Sequence, residues 1–427
     1  MCPCYLPFRR LAPRLTPTDP PMPSTAGTSK IIETLRSPNY GSYVVGNGIS
    51  LIGTWMQRIA VGWLTWELTG SPFWLGIIAF ADLFPAVIFG PISGAIADRR
   101  DRLRLVQVSQ GLSCVQAATL FALAAADAID VYALAALSLF LGIVTAVNQP
   151  ARLALVPSLV HAHQLNSAIG INSVIFNLAR LIGPAIAGVI IASGHVSWVF
   201  AINAVSFAFF LFILMNLRLT RPFKTNRKRK RFTADLMDGF AYAARDPRLS
   251  ALLALNIAIG LGARPLVELL PGLAAAVFGG GPQTLALLTA TLGGGAIVGG
   301  LWLAGRNHEG DLTGTVLAAA FGLALALIAF VATTELWIGV AAMVVLGMTM
   351  SIAGAGIQTL LQFYVDSDMR GRVLSIYGLI LRGGPAIGAL TMGWLAEFLG
   401  LRWPLAGGAV IVAAAALWIT VRTRRTS

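Results

Sequence analysis

Apolar residues in this chain come in long unbroken runs, not in alternation or in one-sided stripes. Runs of 19 to 28 residues with few charges fall at 43–67, 73–97, 105–127, 131–149, 169–193 and 198–217. After a polar stretch they resume at 251–278, 283–305, 315–333, 336–360, 374–399 and 403–421. A helix rises about 1.5 Å per residue, so about 20 apolar residues cross a hydrocarbon core about 30 Å thick. In lipid every backbone polar group must be paired internally, which leaves helices or closed barrels, and these runs are too long for barrel strands. The pattern predicts an all-α membrane protein with twelve transmembrane helices, numbered here as spans 1–12. An even count puts both termini on one side.

The chain also repeats itself. Arg58 in span 1 answers Arg264 in span 7, and Gly94 in span 2 answers Gly300 in span 8, both 206 residues on. Leu141-Gly142 answers Leu346-Gly347 at 205, and Gly183-Pro184-Ala185-Ile186 answers Gly384-Pro385-Ala386-Ile387 at 201. Pairs at nearly one offset, falling in corresponding spans, imply two parallel six-helix repeats. The organisation read from this is a disordered N-terminal tail (1–38), a first half (39–217), a basic linker (218–250), a second half (251–421) and a short tail (422–427). Such repeats place a binding site between the halves near the bilayer midplane. Met22 stands as an alternative start to Met1.

Charge fixes the orientation. Only 11% of the 427 residues are charged, yet the net charge is +13. Of 31 lysines and arginines, 26 fall in the tails and the connections on the terminal side. By the positive-inside rule that side is cytoplasmic. Trp66, Trp74, Trp198, Trp337, Trp394 and Trp403 fall at the opposite ends, where an aromatic belt belongs. The basic balance therefore serves topology and contact with anionic lipid, above all at Arg227–Arg231, and nucleic-acid binding is not needed to explain it. Cys2, Cys4 and Cys114 form no disulfide framework or zinc spacing, and no cofactor or metal is expected. No G-x-x-x-x-G-K-[ST] loop occurs, which argues against ATP-driven transport, and the glycines at 293–295, 299 and 300 read as helix packing within span 8. No acid–base or nucleophile constellation points to an enzyme.

The connection after span 2 runs from Gly94 through Asp98, Arg99, Arg100, Asp101 and Arg102 to Arg104. It resembles the G-x-x-x-D-R-x-G-R loop of the major facilitator superfamily. Gly94, Asp98, Arg99 and Arg102 match, while Asp101 stands where that family prefers glycine. The resemblance implies a conformational latch in which Asp98 docks at the start of span 11, where the helix dipole and Arg370 or Arg372 would receive it. Gln149-Pro150-Ala151-Arg152 through Pro157, Leu165-Asn166 and Asn177 through Arg180 to Gly183-Pro184, with Arg370-Gly371-Arg372-Val373, resemble one branch of that superfamily. It holds bacterial exporters of enterobactin type and the transmembrane secretion effectors, and the similarity covers roughly residues 38–422. It implies an exporter, usually proton-driven, with spans 1, 2, 4, 5, 7, 8, 10 and 11 around the cavity. Spans 5 and 11 would bend at Gly183-Pro184 and Gly384-Pro385.

Six ionisable residues remain inside the spans: Arg58, Arg180, Arg264 and Arg382 against Asp82 and Glu268. Intramembrane charges are costly and mark pathways. Arg58, Asp82 and Glu268 sit about nine residues from their outer ends, hence at similar depth. The spacing predicts that Arg58 pairs with Asp82, and that Arg264 shares a helix face with Glu268. The two surplus arginines suit an anionic substrate. Arginine does not release its proton, so Asp82 and Glu268 are the candidate proton carriers. The expected function is export of a small amphipathic metabolite or drug by alternating access with proton antiport, by a monomer in a bacterial inner membrane. Import on the same fold, or a non-transporting receptor or scaffold, are the rivals.

Overall fold

The computed structural model describes residues 25–97, 100–217, 232–305 and 312–426. Twelve helical spans follow one another there. The first half comprises Pro38–Thr69, Pro72–Leu83 with Pro85–Ala97, Arg102–Ala125, Val131–Leu155, Leu165–Ala192 and Val196–Asn216. The second comprises Pro247–Gly262 with Leu266–Gly272 and a π-turn at Leu273–Val277, then Pro282–Ala304, Leu312–Ala332, Leu336–Tyr364, Arg370–Leu399 and Arg402–Thr426. Among the described residues eleven of these are long and apolar enough to cross a membrane by length and composition alone. Span 1 is the exception. Its 32 residues include Asn47, Gln57, Arg58 and Glu67, and it buries Asn47, Ser50, Gln57 and Thr65 against protein.

Local chemistry sets the span ends. Asp101 accepts from the backbone N–H groups of Leu103 and Arg104, capping span 3. The residue that departs from the signature loop thus starts a helix. Asp130 and Asp246 cap spans 4 and 7 in the same way. Span 1 ends on Gly70 at φ +59°, a left-handed position that glycine adopts freely, with its N–H bonded to the Trp66 carbonyl.

Two spans are interrupted, and neither is one of the two expected to bend. Spans 5 and 11 run as single helices through Pro184 and Pro385. Span 2 breaks instead at Phe84, where Pro85 lacks the N–H that would continue the ladder. Span 7 breaks at Ala263–Pro265. Two further segments are helical, the first of them where a disordered tail was expected. Thr25–Arg36 lies within the predicted tail and Phe232–Arg245 within the predicted linker. Glu33 ties the first to the loop before span 5, accepting from Gln164 Nε2 at 3.1 Å. The second sits on span 11, with Gly239 against Arg372 and Ile376, and with Asp238 3.2 Å from Arg372. Both expose apolar residues: Ile31, Ile32 and Leu35 on one, Met237 and Phe240 on the other.

The repeat is visible in the packing. Gly142 of span 4 fits against the carbonyls of Ala81 and Asp82 in span 2, and its counterpart Gly347 of span 10 fits against the Leu292 carbonyl in span 8. Gly183 of span 5 packs on Ile52, Trp55 and Met56 of span 1, and Gly384 of span 11 packs on Gly260 of span 7. Small residues at these crossings let backbones approach closely in lipid, where there is no hydrophobic drive between helices. Between the halves, Gly76 meets the Ala389 carbonyl, Gly393 meets that of Pro72, and Gly188 meets Ala286. These three crossings lie in the portions of spans 2, 5, 8 and 11 remote from the termini. There Glu397 of span 11 also accepts from Ser71 Oγ and from the Phe73 N–H at the start of span 2. The far end is closed by direct contact between halves.

Candidate functional site

At mid-depth the halves meet through charge. Arg58 of span 1 places one guanidinium nitrogen 2.5 Å from Glu268 Oε1 and another 3.7 Å from Asp82 Oδ2. Asp82 directly precedes the break in span 2. Glu268 lies on the short helix after the break in span 7, so that break aims its carboxylate across the interface at the opposite half. The side chains stay partly accessible, 31% for Arg58, 30% for Asp82 and 13% for Glu268.

The expected pairing of Arg264 with Glu268 does not form. The four-residue spacing assumes a continuous helix, and the chain turns between them at Pro265. Arg264 points back into its own half, donating to the Leu381 carbonyl at 3.3 Å beside Gly354 and Tyr377, with its Nε buried and unpartnered. The Tyr377 hydroxyl donates to the Gly354 carbonyl at 3.0 Å. Arg382, one residue after Leu381, is the second cation acting on Asp82. Arg180 lies over the Trp55 ring at 5.8 Å, and Arg58 over the same ring at 5.6 Å. One acid pair therefore shares one arginine, and among the described residues no carboxylate lies within ion-pair distance of Arg180 or Arg264.

A cavity of about 90 Å³ adjoins the cluster, lined by Thr54, Gln57, Arg58, Asp82, Gln116, Ser138 and Glu268 among apolar residues. Its polar wall extends into a buried network that sequence reading did not single out. Gln57 Nε2 donates to Gln116 Oε1 at 3.0 Å, Asn203 Nδ2 donates to Gln57 Oε1 at 2.7 Å, and Gln116 Nε2 donates to the Leu137 carbonyl. Amides within otherwise apolar spans are the signal that would have found it. Trp55, between two arginines, carried no such mark.

Of the expected latch, Asp98 and Arg99 lie outside the described residues, as does Arg227–Arg231. Gly94 lies in the last turns of span 2. Arg102 donates to the Ala154 carbonyl at 3.1 Å, Arg370 is exposed, and Arg372 is held by Asp238.

Twelve spans in two six-helix repeats with a charged midplane centre define a transporter of the major facilitator fold. A bacterial homologue of the human lysosomal transporter Spinster, solved inward-facing and unoccupied, superposes with a TM-score of 0.71 at 14% identity, covering 91% of this chain and 97% of that one. Residues 32–427 match the model of the transmembrane secretion effectors, and the chain belongs to that family, one of transporters and not of enzymes. It is 23% identical over 372 residues to macrolide efflux protein A of Streptococcus pyogenes, covering 86% of this chain and 92% of that one. It is 26% identical over 344 residues to the enterobactin exporter EntS of Salmonella typhi, covering 80% and 77%.

Proposed function

We propose that the protein exports a small amphipathic molecule bearing an anionic group, by alternating access coupled to proton antiport. It works as a monomer in a bacterial inner membrane with both termini cytoplasmic, and its basic linker and two surface helices rest on anionic lipid. The efflux roles of its relatives support the direction, and the bias of 26 basic residues toward one side supports the orientation.

The observation that carries the reading is Arg58, held at once by an acid of its own half and an acid of the other. Protonating Glu268 removes the ion pair that ties the halves together at mid-depth. An anionic substrate reaching Arg58 and Arg180 competes with the carboxylates for the same guanidinium. Substrate and proton thus act on one junction, so the binding of either changes the binding of the other. Because arginine keeps its proton, the acids must carry it.

Proteoliposomes with an imposed pH gradient test this, using labelled enterobactin and a labelled macrolide. Asp82→Asn and Glu268→Gln are expected to abolish or greatly reduce accumulation driven by the gradient while preserving substrate exchange at equal pH. Should both variants keep full pH-driven accumulation, neither acid is the coupling group.

A further inference from the structure

The first half carries a run of buried polar side chains to which the charged centre assigns no role. Gln57, Gln116, Asn203 and Ser206 are 3%, 2%, 0% and 4% exposed. Their hydrogen bonds run one way. Ser206 Oγ donates to Asn203 Oδ1 at 3.0 Å and Asn203 Nδ2 to Gln57 Oε1 at 2.7 Å. Gln57 Nε2 donates to Gln116 Oε1 at 3.0 Å, and Gln116 Nε2 to the Leu137 carbonyl at 3.2 Å. In this run each amide accepts once and donates once, so none can turn over without breaking both bonds. It passes from span 6 through spans 1 and 3 to span 4. A second tie between spans 1 and 3 lies nearer the termini, where Gln110 Nε2 donates to Ser50 Oγ at 3.0 Å. Gly53, one turn before Gln57, leaves the space that Asn203 Oδ1 and Ser206 Oγ occupy.

Gln57 immediately precedes Arg58. Consecutive side chains on a helix diverge by about 100°, so anchoring Gln57 between spans 3 and 6 sets the direction in which Arg58 leaves span 1. The other end of the run secures Asp82. Span 4, held at the Leu137 carbonyl, carries Gly142, which packs against the carbonyls of Ala81 and Asp82. Guanidinium and carboxylate are thus fixed to one frame, and that frame is built in part on spans 3 and 6, which the expected cavity lining leaves out. The charges that bear on Asp82 are Arg58 of span 1, Glu268 of span 7 and Arg382 of span 11. Of these, Arg58 adjoins the run.

We propose that Gln57, Gln116 and Asn203 are positioning residues for Arg58: they hold its guanidinium against Asp82 and so set how readily that acid takes up a proton. Asn203 does this at a distance, since Gln57 and Gln116 border the cavity at the charged centre and Asn203 does not. The consequence for transport rests on the reading of Asp82 as a proton carrier; the positioning does not.

N,N′-dicyclohexylcarbodiimide reads the acid without any substrate, because it reacts with a carboxyl that carries its proton. The protein in nanodiscs is treated at about pH 7, and the rate of modification at Asp82 is followed by peptide mass spectrometry. An arginine within about 4–6 Å shifts a carboxyl's protonation by about tenfold or more. Asn203→Leu, which loosens Arg58 without reaching the cavity, is expected to raise the rate at Asp82 at least about threefold. Gln116→Met, close in shape, cuts the next link and should do the same, which keeps the test decisive if Asn203→Leu does not fold; melting temperatures identify the folded variants. Arg58→Gln should raise the rate at least as much, and adding either substitution to it should raise the rate no further. A role in packing alone would not make the effect depend on Arg58. Unchanged modification in a folded variant, no rise with Arg58→Gln, or an undiminished effect in the Arg58→Gln background overturns the proposal. Should modification follow the expectation while Asp82→Asn keeps full pH-driven accumulation, the positioning stands and Asp82 is not the proton carrier.

Discussion

Arg58 satisfies two carboxylates that come from different spans, one 3.7 Å away and one at 2.5 Å. Removing it leaves two like charges facing each other, with Arg382 still acting on Asp82. Arg58→Gln is therefore expected to destabilise the protein, by less than the about 3–5 kcal/mol of a fully buried broken pair, because water reaches all three side chains. Adding Glu268→Gln should recover part of the loss, which a double-mutant cycle on thermal melting in detergent would read; strict additivity would mean that the two residues do not interact. Arg58→Lys should not substitute well, since one ammonium cannot present a fork to two separated acids. At this scale the sequence was half legible. Equal depths of Arg58, Asp82 and Glu268 followed from counting residues to the span ends. The partner of Glu268 did not, because the break at Pro265 rotates Arg264 away, and a single proline does not reveal whether a helix will bend or stop.

The spans themselves were legible because hydrocarbon imposes a length on every apolar run, and the predicted boundaries fall within a few residues of the observed ones except at the termini-side ends of spans 1, 4 and 12. The surface helices Thr25–Arg36 and Phe232–Arg245 were not, because short amphipathic segments next to charged runs lack that signature. Packing glycines were legible in part: of those read so in span 8, Gly295 and Gly299 press on the carbonyls of Val344 and Met348 in span 10, and the repeat marked two further pairs. Gly142 tests the distinction. A β-carbon there would press on the carbonyls of Ala81 and Asp82, backbone atoms at the break in span 2 that cannot swing aside. Gly142→Ala is expected to cost about 1–3 kcal/mol, outweighing the roughly 1 kcal/mol that alanine gains over glycine in a helix. Gly407, in span 12, has open space around its missing side chain. Gly407→Ala should be neutral or stabilising by up to about 1 kcal/mol. Thermal melts of the two variants in the same detergent give the comparison, and equal effects would show that the close approach at Gly142 does not constrain the packing.

For the molecule as a whole, the two ends of the interface between halves differ. At the far end Glu397 reaches from span 11 to the hydroxyl of Ser71 and the N–H of Phe73, beside the backbone contacts of Gly76 and Gly393. Toward the termini, a larger cavity, of about 580 Å³ and bordered by Ser173, is walled by residues of the first half only. A carrier that alternates must break the far-end contacts once in each cycle: one exposed carboxylate, one hydroxyl, one N–H, small residues, and the ring of Trp66 from span 1 seated on Gly272 of span 7. Ser71→Cys with Glu397→Cys, bridged by a short bifunctional thiol reagent in protein whose other cysteines are serine, would hold this end shut. Transport of the labelled substrate should then stop and return on reduction, while maleimide labelling of a Ser173→Cys thiol from the terminal side, measured separately with Glu397 and Ser71 intact, proceeds as before. Glu397→Gln alone should weaken the closure and raise the accessibility of a thiol placed at Thr54 to reagents applied from the far side. Undiminished transport through a fully bridged far end would mean that this contact never opens, and the path for substrate would have to leave the protein elsewhere.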